Sequence, residues 1–141
     1  AIARAIDSGE GARVFERMIE AQGGDPRVVA DPSRLPSCAQ TVALLADRSG
    51  VVAGIDALEV GLTAVALGAG RTRADQPVDH AVGIELCCKV GDAVEPDMPL
   101  ALLHVHDPAA CDSAAVRLRA AYTISDDPAD SPPVVIERIL G

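Results

Sequence analysis

His104 and His106 stand two residues apart in an apolar stretch, so in a strand they share one face, with Asp107 and Cys111 close behind. Two imidazoles on one face begin a zinc site, which still requires a third ligand and an outer layer of hydrogen bonds. His80, preceded by Asp79, is the candidate for that third ligand. The plainer reading is a pair of strand-end histidines making ordinary hydrogen bonds, and no metal site is expected. Gly68-Ala69-Gly70-Arg71 looks at first like a phosphate cradle. Such a loop follows a strand and opens a helix, so that amides converge on the anion. Here the glycines close a helix and meet the negative end of its dipole, so helix termination and close backbone approach explain them better. Arg71 and Arg73 form the basic cluster between acidic segments, set in a polar loop with Thr72, Ala74, Asp75, Gln76 and Pro77. A surface loop is the plain reading of it and a lid the sharper one.

Nucleophilic chemistry has little to stand on. No serine lies in a GxSxG context and no thiol-hydrolase signature is present. The four cysteines, Cys38, Cys87, Cys88 and Cys111, include no CxxC pair. Cys87 and Cys88 are adjacent and point to opposite faces if extended. Reduced cysteines acting as small apolar residues in a cytoplasmic protein are expected. The acids at Asp97, Asp126, Asp127 and Asp130 sit among prolines and small residues and read as a solvated surface.

Charge and composition exclude whole classes of partner. The net charge is −9, and residues 74–130 carry eleven acids against three bases. Such a surface repels phosphate backbones and anionic membranes, so neither nucleic acid nor membrane is expected as a partner. Phe15 and Tyr122 are the two aromatics, too few for a base-stacking platform. No secretory leader or bilayer-length apolar run is visible. Of 69 apolar residues 25 are Ala, so the core must come from 16 Val, 12 Leu and 8 Ile, suited to sheet and helix packing within one domain.

The elements follow from punctuation and period. Asp7 with Glu10 forms a capping-box pattern, followed by a stripe of Val14, Phe15, Met18, Ile19 and Gln22, and Gly23 closes the helix. Residues 24–36 carry Pro26, Pro32 and Pro36 with two Asp-Pro pairs, and read as an extended, stiff linker between a terminal helix (1–23) and the main domain (37–141). Runs 41–46 and 51–55, separated by Asp47-Arg48-Ser49-Gly50, predict a hairpin. Asp56 with Glu59 opens a helix through Leu58, Leu62, Val65 and Ala66 that ends at Gly68. Residues 84–90 and 100–106 read as strands, with corners at Gly91-Asp92 and Pro96 to Pro99. Asp107-Pro108 then starts a helix to about Ala121, and short strands at 123–124 and 134–139 finish the chain. The class is α+β with an antiparallel or mixed sheet, without doubly wound alternation.

Glu20-Ala21-Gln22-Gly23-Gly24-Asp25-Pro26, Leu67-Gly68-Ala69-Gly70-Arg71, Asp79-His80-Ala81-Val82-Gly83 and Lys89-Val90-Gly91-Asp92, in that order, resemble the C-terminal part of the thymidine/pyrimidine-nucleoside phosphorylases. Tyr122-Thr123-Ile124-Ser125-Asp126 is similar too, so the resemblance runs over nearly the whole chain. It implies an α/β-hammerhead built around a barrel-sandwich half-barrel, with residues 1–22 resembling the last helix of a preceding α/β domain. It implies that this chain is a C-terminal fragment of a cytoplasmic, homodimeric enzyme whose N-terminal α and α/β domains are its natural partners. That parent phosphorolyses pyrimidine nucleosides to free base and (deoxy)ribose 1-phosphate, with phosphate as co-substrate and no cofactor in this chain. The family's phosphate loop and catalytic His, Arg, Ser and Lys lie in earlier domains, so no catalytic, substrate-binding or metal residue is carried over, and the fragment alone is expected to be inactive. The 71–79 loop, with Arg71, Arg73, Asp79 and His80, is the part expected to face the parent's cleft. The alternatives are the same domain of a nucleoside-monophosphate phosphorylase, or a biotinyl/lipoyl-like carrier, for which Val90-Gly91-Asp92 and Pro99-Leu100 are similar. A carrier needs a lysine at a hairpin tip, and the single lysine, Lys89, is expected on a strand just before its turn.

Overall fold

A computed structural model describes residues 1–133 and 135–139, in two compact units, Ala1–Ser37 and Cys38–Gly141. In the first unit the chain forms two helices, α1 (Ile2–Asp7) and α2 (Glu10–Ala21). Asp7 therefore ends a helix and does not cap one. Gly9, at φ 70°, takes the left-handed turn between the two, a conformation open to glycine without penalty, and α2 starts from it. The other end of α2 closes as the sequence predicts. Gly23 lies at φ 80°, its amide donates to Glu20 O, and the Gly24 amide donates to Ile19 O at 2.9 Å, which satisfies two terminal carbonyls.

Residues 24–36 are not an extended linker. Both Asp-Pro pairs start short 3-10 turns, Pro26–Val29 and Pro32–Arg34, because each aspartate accepts a backbone N–H two residues on (Arg27 N at 3.0 Å, Ser33 N at 3.2 Å) while proline pre-sets the turn.

The second unit holds β1 (Gln40–Leu45), β2 (Gly50–Ile55), α3 (Ala57–Ala64), β3 (Gly83–Leu86), β4 (Ala93–Val94), β5 (Pro99–Val105), α4 (Ala109–Ala121) and β6 (Tyr122–Ser125). Two three-stranded sheets, ordered β1-β5-β3 and β4-β2-β6, are antiparallel throughout, so the class is α+β. The predicted β1–β2 hairpin does not form: its two strands belong to different sheets. β1 instead pairs with the long strand β5 from Gln40↔Val105 to Leu45↔Pro99. Residues 46–49 carry the chain across, and Gly50 lets β2 approach β6 where a Cβ would lie 2.6 Å from Ile124 Cγ2 and Ser125 O.

The core follows from strand alternation and one helix stripe. Ala101, Leu103 and Val105 of β5 are buried at period two, and Cys111, Ala114, Leu118 and Ala121 of α4 are buried at helical spacing. Leu44, Val52, Val94 and Tyr122 join them from both sheets. The strand predicted at 84–90 stops at Leu86, so Lys89 lies beyond it, exposed, with its amide donating to Asp92 Oδ2 at 2.8 Å. Residues 135–139 form no strand, and Val134, the first residue of the strand predicted there, is outside the described residues.

Candidate functional site

The end of β5 gathers the ionisable groups. The strand expected to reach residue 106 ends at Val105, so His104 lies within β5 and His106 just past its end, and each turns to a different partner. His106 Nε2 lies 3.2 Å from Asp79 Oδ2. His104 Nδ1 lies 3.2 Å from Thr41 Oγ1 and 3.7 Å from Cys38 Sγ, while its Nε2 lies 3.6 Å from Glu85 Oε2. The antiparallel register produces this: His104 stands opposite Thr41 of β1 and opposite Gly83 of β3, which brings groups far apart in sequence to one imidazole. Among the described residues no three His, Cys, Asp or Glu side chains come together as a metal-holding group.

Asp79 is the hub of the neighbouring loop. Its amide donates to Gly68 O at 2.9 Å, and its Oδ1 accepts the Ala81 amide at 2.9 Å. Asp56 caps α3 by accepting the Leu58 and Glu59 amides, and the helix then widens into a single π turn, Val65–Ala69. Gly68 there lies at φ 108°, and a Cβ on Gly70 would fall 2.7 Å from Val65 Cγ2. The two glycines thus serve termination and close approach, as their position in the sequence indicates.

Beyond them the loop closes on itself. Arg73 pairs with Asp75 at 2.9 Å, Arg71 Nη1 donates to Ala74 O, and Gln76 Oε1 accepts from both the amide and the hydroxyl of Thr72. An open concavity of about 330 Å³ is lined by Thr72, Arg73, Asp75 and Gln76. Of the four residues singled out by sequence, Asp79 is anchored and half-buried, whereas Arg71, Arg73 and His80 are exposed. The Asp79–His106 pair and the Cys38–His104 contact are not legible in the sequence, because each joins residues far apart along the chain.

A second cavity, about 170 Å³, is lined by Asp47, Arg48, Leu100, Arg119, Tyr122 and Ile124. Its arginines are already engaged, Arg48 with Asp126 and Arg119 with Asp47 and Leu45 O. The Tyr122 hydroxyl donates to Leu100 O at 2.8 Å, and burial pushes the phenol up to about 12. Burial likewise pushes the Cys88 and Cys111 thiols up. In the first unit the bidentate Arg27 guanidinium holds the Asp25 carboxyl well below the usual carboxylate range.

Residues 51–125, more than half of the chain and spanning β2 to β6, match the family described as pyrimidine nucleoside phosphorylase C-terminal domain. The chain belongs to that family. This C-terminal domain is also similar to the thymidine phosphorylases of Burkholderia lata and Burkholderia orbicola (strain MC0-3), each 38% identical over 137 residues, and to that of Burkholderia cenocepacia at 37%. Each alignment covers 96% of this chain and 31% of the relative, so the domain spans about a third of their length. No helix among the described residues is long and apolar enough to cross a membrane.

Proposed function

We propose that this chain is the C-terminal scaffold of an enzyme that transfers a pentosyl group from a pyrimidine nucleoside to phosphate, and that it carries none of the groups that break the glycosidic bond. The observation that carries this reading is the state of its polar side chains. Each arginine of the 71–79 loop is engaged within that loop, Arg73 by Asp75 and Arg71 by Ala74 O. Phosphorolysis needs preorganised donors for the phosphate and the departing base. Arg71 and Arg73, exposed and turned onto their own loop, are not preorganised in that way.

The two antiparallel sheets, β1-β5-β3 and β4-β2-β6, together with α3 and α4, support the hammerhead and half-barrel that the family resemblance implies. In the whole enzyme the 71–79 loop, with Arg71, Arg73, Asp79 and His80, would face the cleft and move with the domain during closure. The apolar face of α2, with Val14, Phe15 and Met18 about half exposed, would be covered by the portion of the enzyme this chain does not span, in a cytoplasmic homodimer. Lys89 follows β3, and β3 and β4 lie in different sheets, so it does not sit at the tip of a β3–β4 hairpin as a carrier lysine would.

The test is a chimera. Replacing the aligned 137 residues of the Burkholderia lata thymidine phosphorylase with those of this chain should leave thymidine-dependent base release intact. A folded chimera that binds both substrates but has no turnover would contradict the scaffold role.

A further inference from the structure

Cys38, His104 and Glu85 form a nucleophile, a base and a carboxylate in sequence across three neighbouring segments. Cys38 is half-buried and its Sγ lies 3.7 Å from His104 Nδ1, within reach of a sulfur hydrogen bond; Glu85 Oε2 lies 3.6 Å from the opposite ring nitrogen. That order, nucleophile to imidazole to carboxylate, is the arrangement by which a side-chain base activates a nucleophile. The other thiols lack it. Cys88 and Cys111 are buried, and Cys87, though exposed, has no histidine partner among the described residues.

We propose that Cys38 is a thiol-modification site for low-molecular-mass disulfides, with His104 as its proton acceptor and Glu85 as the group that orients the imidazole. In the resting state the thiol donates to Gln40 O at 3.1 Å, and the Thr41 hydroxyl shares Nδ1 at 3.2 Å. Rotation about the Cβ–Sγ bond turns the S–H toward Nδ1. As Sγ attacks, its proton passes to Nδ1, a bond forms between Sγ and the near sulfur of the disulfide, and the S–S bond of the reagent breaks. The far sulfur leaves with the electron pair as a thiolate and takes the proton back, so the exchange balances without any further oxidant. The Glu85 carboxylate favours the tautomer with its proton on Nε2, which makes Nδ1 the acceptor for the thiol once the Thr41 hydroxyl turns away, and stabilises the imidazolium that forms. Among the described residues, His106, two residues on, and Asp79, which holds it, are the further titratable groups beside His104.

The probe is oxidised glutathione on the full 141-residue chain at neutral pH, followed by peptide mapping of each cysteine. Cys38 should be modified about tenfold faster than the more exposed Cys87, because a positioned base accelerates proton transfer by an order of magnitude or more. His104→Gln should bring Cys38 to the rate of Cys87 or below while Cys88 and Cys111 stay unmodified, which shows that the fold is intact. Glu85→Gln should give an intermediate rate and a shifted pH profile, an effect that a purely structural role would not produce. Equal rates at Cys38 and Cys87 in the unmutated chain would overturn the proposal, as would a His104→Gln chain that keeps its buried thiols silent and Cys38 fast. Should that variant unfold, the comparison within the unmutated chain still decides.

Discussion

Asp79 Oδ2 lies 3.2 Å from His106 Nε2, so the root of the 71–79 loop is tied to the end of β5. Asp79 also holds the Ala81 amide, so it joins the turn after the loop to the residue that follows β5. Asp79→Ala should cost about 1 kcal/mol, because its contact with His106 is half-exposed and the backbone hydrogen bond supplies most of the effect. Amide exchange should rise in residues 71–82 and stay unchanged in α4; uniform exchange across the domain would contradict a local anchor.

Tyr122 is the single tyrosine, so its titration can be followed by phenolate absorbance without overlap. Burial raises the phenol to about 12, against roughly 10 in an unfolded chain. The folded state favours the neutral form, so this contribution to stability is complete below about pH 10 and is lost as pH rises through about 12. Cys88 and Cys111, also raised by burial, add a loss in the same direction from above the ordinary thiol range. Tyr122→Phe should remove the phenolate signal and cost about 1 kcal/mol at neutral pH, since the bond from the hydroxyl to Leu100 O is lost while the Cys87 amide still donates to that carbonyl. Phenolate absorbance rising near pH 10 in the folded chain would contradict it.

The π turn makes a sharper demand on backbone. Gly68 lies at φ 108°, a region that side chains rarely adopt, and Gly70 has no room for a Cβ beside Val65. Gly68→Ala should cost about 1–3 kcal/mol by strain, and Gly70→Ala a comparable amount through displacement of Val65. The denaturation midpoint measures both. A neutral Gly68→Ala would mean that the turn relaxes freely.

The first unit carries an apolar face that it covers only in part. Val14, Phe15 and Met18 are about half exposed, and a groove of about 540 Å³ runs between Phe15, Ile19, Val28, Val29, Pro32 and Leu35. The chain should therefore self-associate as its concentration rises, and Phe15→Ser should move that association to about tenfold higher concentration. A monodisperse monomer whose α2 amides are fully protected from exchange would argue against an open face.

Much of this was readable from the residues. The Asp56 cap, the Gly23 closure, the Asp107-Pro108 start of α4 and the glycine end of α3 follow from local chemistry, and local chemistry acts over a few residues. Asp107 Oδ1 indeed accepts the Ala109 amide at 2.9 Å. What local chemistry does not decide was missed. Asp7 and Glu10 match a capping box, yet Ser8 and Gly9 break the helix between them. The Asp-Pro pairs of residues 24–36 look like a linker because proline stiffens extended chain, but aspartate before proline caps a turn equally well. Whether β1 pairs with β2 or β5 depends on contacts some sixty residues apart, and Thr41 and Cys38 reach His104 over the same separation, while Glu85 and Asp79 reach the histidines from nearer but still non-local positions.

The most direct measurement is base release from thymidine and orthophosphate by the purified 141-residue chain. A scaffold without bond-breaking groups releases no thymine above the buffer control at any chain concentration. Release that scales with the chain's concentration and requires phosphate would contradict it.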